Sequence, residues 1–267
     1  MNAQQAELTQ LIDAVTSSAK YRQVAPALVR AIGAQELSKR RNVKEAIKAT
    51  KNKLHQTVGA YWSGKQTYGE WLTALRTAPD PESQRAACRP MLHQHASTRE
   101  RLPLLDEFYP TIFADLPPIH SLLDLACGLN PLTIPWMPLA PNASYHACDV
   151  DTEQINFLQQ ALPLLGVQGT ATVCDLLQPF SPPAVEVMLL LKTLPCLEQI
   201  DKTVSARLVP FLHASVIIIS YPAQSLGGRN KGMVQSYRAH FQQLFPADDR
   251  QVQEFVFPTE IVFRLTI

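Results

Sequence analysis

From residue 119 onward, short apolar segments alternate with segments of helical character, and this alternation constrains the fold more than any other feature of the chain. Continuous apolar strands separated by helices are typical of a parallel sheet covered on both faces. We predict seven strands, at 119–124, 144–149, 169–174, 185–191, 214–220, 251–257 and 260–266. The last two form a hairpin-like pair, and helices are predicted at 152–165 and 197–209. The pattern therefore indicates a doubly wound, mostly parallel seven-stranded α/β sheet with an antiparallel edge.

The composition is that of a folded protein without membrane segments. Of the 267 residues, 46% are hydrophobic and 18% are charged, which separates the chain from disordered sequences. The longest apolar run, 185–191, is far shorter than the roughly 18 residues that cross a bilayer, and no signal-like stretch begins the sequence. Five cysteines occur without a CxxC pair that would indicate zinc. We expect a cytoplasmic, monomeric protein with reduced thiols and no metal site.

Positive charge is concentrated in the first 60 residues. This segment has ten Lys and Arg against four acids, so it carries +6, and the remainder carries −5. Such asymmetry is typical of a protein that meets a polyanion at one end. Residues 38–58 are predicted to form a helix with one apolar side and one cationic side. The expected RNA-binding residues are Lys39, Arg40, Arg41, Lys44, Lys48 and Lys51.

The front of the chain is predicted to be a separate helical domain. Residues 79–90 are polar and bracketed by prolines, which favours a linker or a surface loop. We place a basic helical domain, expected to bind a polyanion, at 1–93 and a second domain, which contains the predicted sheet, at 94–267. For the Lys-rich helix taken alone, a solvated surface is the alternative to RNA contact.

A loop with one glycine follows the first predicted strand, and an acid follows at a distance typical of adenosine sites. Asp124 ends this strand, Gly128 lies in the loop, and Asp149 ends the second strand 21 residues after Gly128. In doubly wound sheets, such an acid accepts hydrogen bonds from ribose hydroxyls. A dinucleotide site needs several glycines close to a pyrophosphate. S-adenosylmethionine contains no phosphate, so it fits this loop better.

Three further residues complete the predicted cofactor site. Asp175 and Leu176 follow the third strand, where a carboxylate and a backbone amide can bind adenine, with a solvated loop acid as the alternative for Asp175. Arg101 offers a bidentate partner for the methionine carboxylate, although a helix-surface arginine is also consistent with the sequence. An Asp at the end of three successive strands favours the cofactor interpretation.

Four segments are long and specific: HASTRERL at 95–102, DLACGLNP at 124–131, KTLP at 192–195 and SLGGRNKGM at 225–233. Together they closely resemble the aminoglycoside-resistance 16S rRNA (guanine(1405)-N(7))-methyltransferases, and the likeness covers most of the chain. The resemblance implies a class I S-adenosylmethionine-dependent methyltransferase fold with an N-terminal helical domain. It also implies cofactor contacts at Tyr61, His95, Ala96, Ser97, Arg101, Ala126, Gly128, Asp149, Asp175, Leu176, Leu191 and Gln199. The sequence departs from the family at Asp151, where relatives have His, and at Gln224, where they have Arg.

The chemistry implied by this resemblance needs no general base. Guanine N7 has a free lone pair at neutral pH, so the enzyme has mainly to align it with the methyl group and exclude water. Lys192, at the end of the fourth strand, is predicted to donate to guanine O6 or to a phosphate, with a solvated lysine as the alternative. Arg229 and Lys231 are predicted to contact phosphate or the guanine edge, with a simple charged turn as the alternative.

Two other functions remain open on the sequence. A small-molecule methyltransferase would use the front domain as a lid, and strong binding to assembled small ribosomal subunits would argue against it. A non-catalytic RNA-binding protein would keep only a vestigial cofactor site. The pair His93 and His95 has no further metal ligands nearby in the sequence, so we assign His95 to the cofactor site.

Overall fold

The computed structural model describes residues 3–64, 66–223, 232–246 and 250–266. Its centre is one seven-stranded sheet with the order β3-β2-β1-β4-β5-β7-β6. The strands are β1 (Ile119–Leu125), β2 (Leu139–Asp149), β3 (Gln168–Val173), β4 (Val185–Leu191), β5 (Ala214–Pro222), β6 (Gln251–Val256) and β7 (Glu260–Thr266). The first five pair in parallel, and β7 pairs antiparallel with both β5 and β6. The predicted sheet and its antiparallel edge are confirmed.

Eleven α-helices lie in the described part of the chain. They are α1 (Ala3–Thr16), α2 (Pro26–Lys39), α3 (Val43–Leu54), α4 (Tyr68–Arg76), α5 (Pro81–Leu92), α6 (Ala96–Arg101), α7 (Leu105–Ile112), α8 (Thr152–Leu164), α9 (Leu194–Glu198), α10 (Val204–Leu208) and α11 (Met233–Leu244). A π-helical turn, His55–Gly59, continues α3, and short 3-10 segments cover Leu102–Leu104, Asn130–Trp136 and Val209–Phe211. Seven helices therefore precede the first strand, and four connect later strands.

Both faces of the sheet are buried, which explains the continuous apolar strands. In β1, Leu122 packs into one apolar cluster and Leu123 into a second on the opposite face. In β4, Leu189 and Leu190 divide between the same two clusters. Helices α4, α5, α7 and α8 contribute to the first cluster, and α9, α10 and α11 to the second. Helices α4, α5 and α7 thus share a core with the sheet although they precede it, and the domain division after residue 93 stays a prediction.

The first three helices have an apolar cluster of their own. It contains Leu11, Ile32 and Leu54, which are fully buried, together with Ile200 from the segment after α9. Backbone hydrogen bonds join this region to the carboxyl end of β2, where the N–H of Ala25 donates to the carbonyl of Val150 at 2.8 Å. The basic region is therefore attached at the sheet edge where ligands of doubly wound proteins bind.

Residues 79–90 are not a linker, contrary to the sequence prediction. Asp80 caps α5, because its carboxylate accepts from the backbone N–H of Ser83 at 2.9 Å, and Pro81 occupies the first helical position. Proline is favoured at this position, since its missing N–H would have no partner inside the helix. Cys88 and Met91 are buried in the first apolar cluster, so the helix is part of the core.

Two predicted helices are divided in the structure. Within 38–58, α2 ends at Lys39 and α3 begins after Asn42, whose side chain accepts from the N–H of Glu45 at 2.9 Å. Asn is one of the preferred N-cap residues, and it starts a new helix here. Within 197–209, α9 ends at Glu198, and α10 begins only at Val204.

Candidate active site

A cavity lies at the carboxyl ends of β1, β2 and β4. Its lining includes most of the predicted cofactor residues: Tyr61, His95, Ser97, Arg101, Ala126, Gly128, Asp149, Asp175, Leu176 and Leu191. Lys192 lines it as well, whereas Ala96 and Gln199 do not. Leu28 of α2 and Thr57 and Val58 of the π-helical turn also contribute. The cavity is therefore built jointly by the first 60 residues and the sheet.

The loop after β1 is shaped by its backbone conformation. Gly128 has a φ of +51°, and a Cβ atom there would lie 2.9 Å from Cε1 of His95, so a larger residue would displace the ring. Its N–H donates to Oδ2 of Asp149 at 2.9 Å, and the N–H of Val150 donates to Oδ1 at 2.7 Å. The Asp149 carboxylate is thus fixed against the cavity by two backbone amides.

Asp151, one of the departures from the family pattern, has a structural role in this loop. Its carboxylate caps α8 by accepting from the N–H of Gln154 at 2.9 Å, and the Gln154 side chain donates to the carbonyl of Gly128 at 2.8 Å. Burial, with nearby Asp149 and Glu153, raises the pKa of Asp151 to about 6. Asp is a favourable N-cap, which accounts for an acid at this position.

A buried network of charged groups forms the wall next to α6. Arg101 donates to both oxygens of Glu260 at 2.7 and 2.9 Å and to Oδ1 of Asn130 at 2.9 Å. The side chains of Arg101 and Glu260 are 1% and 0% exposed, so neither meets bulk solvent. Burial alone would raise the pKa of Glu260, but Arg101 and Lys192 outweigh it and hold the pKa below its usual value. Glu260 therefore stays ionised and holds the guanidinium in place.

Lys192 belongs to the same network. It has a φ of +59°, and its Nζ lies 2.7 Å from Oε2 of Glu100 and 3.9 Å from Oε1 of Glu260. Its side chain is 6% exposed, which excludes the solvated lysine considered from the sequence. Sequence reasoning assigned no role to Glu100, Asn130 or Glu260. A signal was available for all three, because the family likeness includes Glu100 in HASTRERL, Asn130 in DLACGLNP and Glu260 in the pair Thr259-Glu260.

Three buried polar atoms of the cavity have no hydrogen-bond partner within the described residues: Nδ1 of His95, Oδ1 of Asp124 and Oδ2 of Asp175. Burial and nearby cations lower the pKa of His95 to about 3, so its ring is neutral. Burial raises the pKa of Asp124 to about 6 and also raises that of Asp175. Buried polar atoms are normally satisfied, so these three indicate a ligand that brings its own polar groups.

An aromatic wall closes another side of the cavity. The Tyr61 ring stacks on His95 with centroids 5.5 Å apart, and its hydroxyl lies 2.8 Å from Sγ of Cys196. The N–H of Ala96 donates to the Tyr61 carbonyl at 2.7 Å, so Ala96 helps to fix the backbone of Tyr61. Gln199 is exposed and follows α9. The cofactor contacts of Ala96 and Gln199 stay predictions.

The predicted RNA-binding residues lie at the surface of the N-terminal helices. Lys39, Arg40, Arg41, Lys44 and Lys48 are exposed, and Lys51 is half-buried. Arg40 and Lys53 form ion pairs with the buried Glu36, at 2.9 and 3.4 Å. We call the exposed side chains of Arg41, Lys44 and Lys48, for which no ion pair occurs within the described residues, the basic face.

Some predicted features fall elsewhere. Arg229 and Lys231, together with Gln224, lie outside the described residues. In the part of the chain that is described, no group of His, Cys, Asp and Glu is arranged to hold a metal ion. Within the same part, no helix combines the length and apolar character of a membrane span.

The family model of the ribosomal RNA methyltransferases (FmrO) matches residues 17–261. The chain belongs to this family. A 16S rRNA (guanine(1405)-N(7))-methyltransferase from Micromonospora echinospora is 38% identical to it over 98% of this chain and 97% of the relative. The resemblance drawn from the four motifs is thereby confirmed.

Solved structures of ribosomal RNA methyltransferases share the fold. The 16S rRNA methyltransferase RmtF, crystallised in complex with S-adenosyl-L-homocysteine, superposes with a TM-score of 0.83 at 29% identity, covering 100% of this chain and 99% of RmtF. The 16S rRNA methylase RmtB superposes with a TM-score of 0.77 at 26% identity, covering 97% of this chain and 98% of RmtB. The methyltransferase fold predicted from the sequence is confirmed along the whole described chain.

Proposed function

We propose that this chain transfers a methyl group from S-adenosylmethionine to N7 of guanine 1405 in the 16S rRNA of the small ribosomal subunit, and so confers aminoglycoside resistance. The observation that carries the proposal is the cavity at the strand ends, in a chain 38% identical to a relative named for this reaction. Two acceptors in the cavity, on Asp124 and Asp175, lack hydrogen-bond donors within the described residues. The ammonium group and the adenine amine of this cofactor would supply them.

The cavity offers a partner for each polar part of the cofactor. Oδ2 of Asp175 would accept from the adenine amine, and the backbone amide of Leu176 would donate to a ring nitrogen. Asp149, fixed by the amides of Gly128 and Val150, binds the ribose hydroxyls. Tyr61, Ser97 and Leu191 contribute to the cavity wall.

The charged network around Arg101 would hold the methionine end of the cofactor. The bonds of Arg101 to Glu260 and Asn130 use three of its five N–H groups, which leaves donors for a carboxylate. Oδ1 of Asp124 would accept from the ammonium group, since it has no partner within the described residues, whereas Oδ2 accepts from Tyr145 and Asn130. Asp124 is thus added to the cofactor residues proposed from the sequence.

S-adenosylmethionine supplies an electrophilic methyl group on its sulfonium when bound. The residues of the chain have to orient guanine N7 toward that group and exclude water, and no side chain has to remove a proton. Positioning of this kind contributes up to about 7–11 kcal/mol in favourable cases. The neutral His95 ring and the Tyr61 wall fit this role, since neither introduces a charge that would compete for the site.

We propose that the basic face grips rRNA phosphates on the assembled subunit, with Lys39, Arg40 and Lys51 at its border. Attraction to phosphates through exposed Lys and Arg is long-ranged and depends strongly on salt. Arg229 and Lys231 are proposed to contact the phosphate backbone or the guanine edge. The protein is proposed to act in the cytoplasm as a monomer.

The decisive experiment treats purified small subunits with the protein and S-adenosylmethionine, followed by borohydride reduction, aniline cleavage and primer extension. A single stop at guanine 1405 is expected, and omission of the cofactor should abolish it. Because Leu28, Thr57 and Val58 line the cavity, the front region also resembles a lid. Absence of the stop, with no binding to subunits, would favour the small-molecule methyltransferase instead.

A further inference from the structure

Lys192 lies between two carboxylates of very different accessibility. Its Nζ is 2.7 Å from Glu100 and 3.9 Å from Glu260. Glu260 is fully buried and is already bonded to Arg101 and to the Ser220 hydroxyl. The Glu100 side chain is 21% exposed, and the one hydrogen bond of its carboxylate within the described residues uses Oε2. Oε1 of Glu100 therefore belongs to a partly exposed side chain and is the oxygen of its carboxylate that has no hydrogen bond within the described residues.

The backbone of Lys192 is held in place at the end of β4. The N–H of Lys192 donates to the carbonyl and the hydroxyl of Ser220, at 3.0 and 3.1 Å. Its positive φ is uncommon for a residue with a side chain, and it sets the direction in which the side chain leaves the end of β4. Lys192 and Glu100 thus present a donor and an acceptor side by side, close to Tyr61 and Cys196.

We infer that Glu100 and Lys192 together recognise the target base, an inference that rests on the proposed function. Lys192 donates to O6 of guanine, and the Glu100 carboxylate accepts from N1–H and the 2-amino group. O6 and N1 belong to adjacent positions of the six-membered ring, which matches a donor and an acceptor in contact with each other. N7, on the five-membered ring, stays free to receive the methyl group.

The pairing favours a base over a phosphate as the ligand of Lys192. A phosphate at this ammonium would approach the carboxylates of Glu100 and Glu260 and be repelled by both. Guanine is neutral. Its acceptor O6 would face the ammonium, and its donors N1–H and the 2-amino group would face the Glu100 carboxylate. Adenine would oppose its 6-amino group to the ammonium and its N1 lone pair to the carboxylate, so the same pair excludes it.

The test compares wild type with Glu100→Gln on small subunits that carry either guanine or adenine at position 1405, using tritiated S-adenosylmethionine. A glutamine amide can donate to the N1 lone pair of adenine, which the wild-type carboxylate repels. We expect the guanine rate to fall by a factor of about 10 to 100 and the adenine rate to rise above its wild-type value, so that the ratio of the guanine rate to the adenine rate decreases. Glu107→Gln, an identical change at an exposed site on α7, should leave both rates as in wild type.

Several outcomes would overturn the inference. An unchanged guanine-to-adenine ratio, or an equal fall on both substrates, would mean that Glu100 only orients Lys192. A matching loss of cofactor affinity in calorimetry would place Glu100 in the cofactor site instead. If Glu100→Gln unfolds, Glu100→Ala takes its place, and a reduced ratio without loss of cofactor affinity is expected. Failure of wild type on guanine subunits would refute the proposed function itself, which the primer-extension stop reports separately.

Discussion

The basic face and the cavity use the same kinds of charged residue in opposite ways. Lys44 and Lys48 are exposed and have no ion pair within the described chain, whereas Arg101 and Lys192 are buried and paired with carboxylates. Exposed cations attract a polyanion over a distance set by the ionic strength. Buried pairs act over a few ångströms and fix geometry. Under the proposed function, approach to the RNA and alignment of the reacting groups are therefore separate tasks of separate regions.

The largest effect is expected from Arg101→Ala. It leaves Glu260 as an unpaired buried carboxylate, and breaking a buried pair typically costs about 3–5 kcal/mol. We expect a decrease of this size in the free energy of unfolding, measured with denaturant, and no detectable cofactor binding in calorimetry. Arg207→Ala, which removes an exposed pair with Asp201, should cost less than about 1 kcal/mol. Equal decreases in the two variants would break the distinction between buried and exposed charges.

Substitutions in the basic face are expected to change the salt dependence of binding to small subunits and to leave the cofactor affinity unchanged. Removing Lys44 and Lys48 together is expected to reduce the slope of log affinity for small subunits against log salt, by about 0.7–0.9 for each phosphate that is no longer neutralised. Calorimetry with cofactor should give the wild-type affinity. Lys202→Ala removes an exposed lysine outside the basic face and serves as the control. An unchanged slope in the double variant would place the RNA contact elsewhere.

A decrease in pH is expected to weaken cofactor binding in the cavity. Because the pKa of Asp124 is raised to about 6, its carboxylate is ionised above that pH and protonated below it. Cofactor affinity is expected to fall as the pH falls through 6, since the neutral acid loses its attraction for the ammonium group. The free energy of unfolding changes in the opposite direction. Because the folded-state pKa of Asp124 is raised, the contribution of this residue to stability is present at low pH and is lost as the pH rises through 6.

Calorimetry at pH 7.5, 6.5 and 5.5 measures this dependence. Asp124→Asn should bind weakly and with little change over the range. Burial also raises the pKa of Asp149, Asp151 and Asp175, so a dependence that persists in Asp124→Asn would assign the titration to another of these cavity acids.

The smallest effect is expected at the cap of α3. Asn42→Ala removes the acceptor for the N–H of Glu45 and should lower the free energy of unfolding by about 1 kcal/mol. Asn42→Gly should cost only a few tenths of a kcal/mol. Both variants keep every cation, so their salt slopes should match wild type. A changed slope would show that the cap positions the basic face as well as stabilising it.

Local patterns predicted much of the fold. The strands were recognisable because both faces of the sheet are buried, which makes residues such as Leu189 and Leu190 apolar in succession. The α5 helix was missed because its prolines were taken as helix breakers, although Asp80 and Pro81 form a favourable helix start. In this helix proline is not a breaker, because Pro81 occupies the first turn and Pro90 lies inside the helix.

The site was predictable where it depends on strand ends. Asp149 and Asp175 end or follow strands of a parallel sheet, so topology alone brings them to the same edge. The pairing of Arg101 with Glu260 joins residues 159 positions apart, and no local pattern specifies it. The same holds for Glu100 and Lys192, which are 92 positions apart.

The joint construction of the cavity has a consequence for inhibitor design. A competitor that fills only the strand-end half meets features that other doubly wound enzymes also present. A compound extended toward Leu28, Thr57 and Val58 would contact side chains supplied by the first 60 residues. Contacts with these three side chains are therefore expected to give an inhibitor selectivity over unrelated methyltransferases.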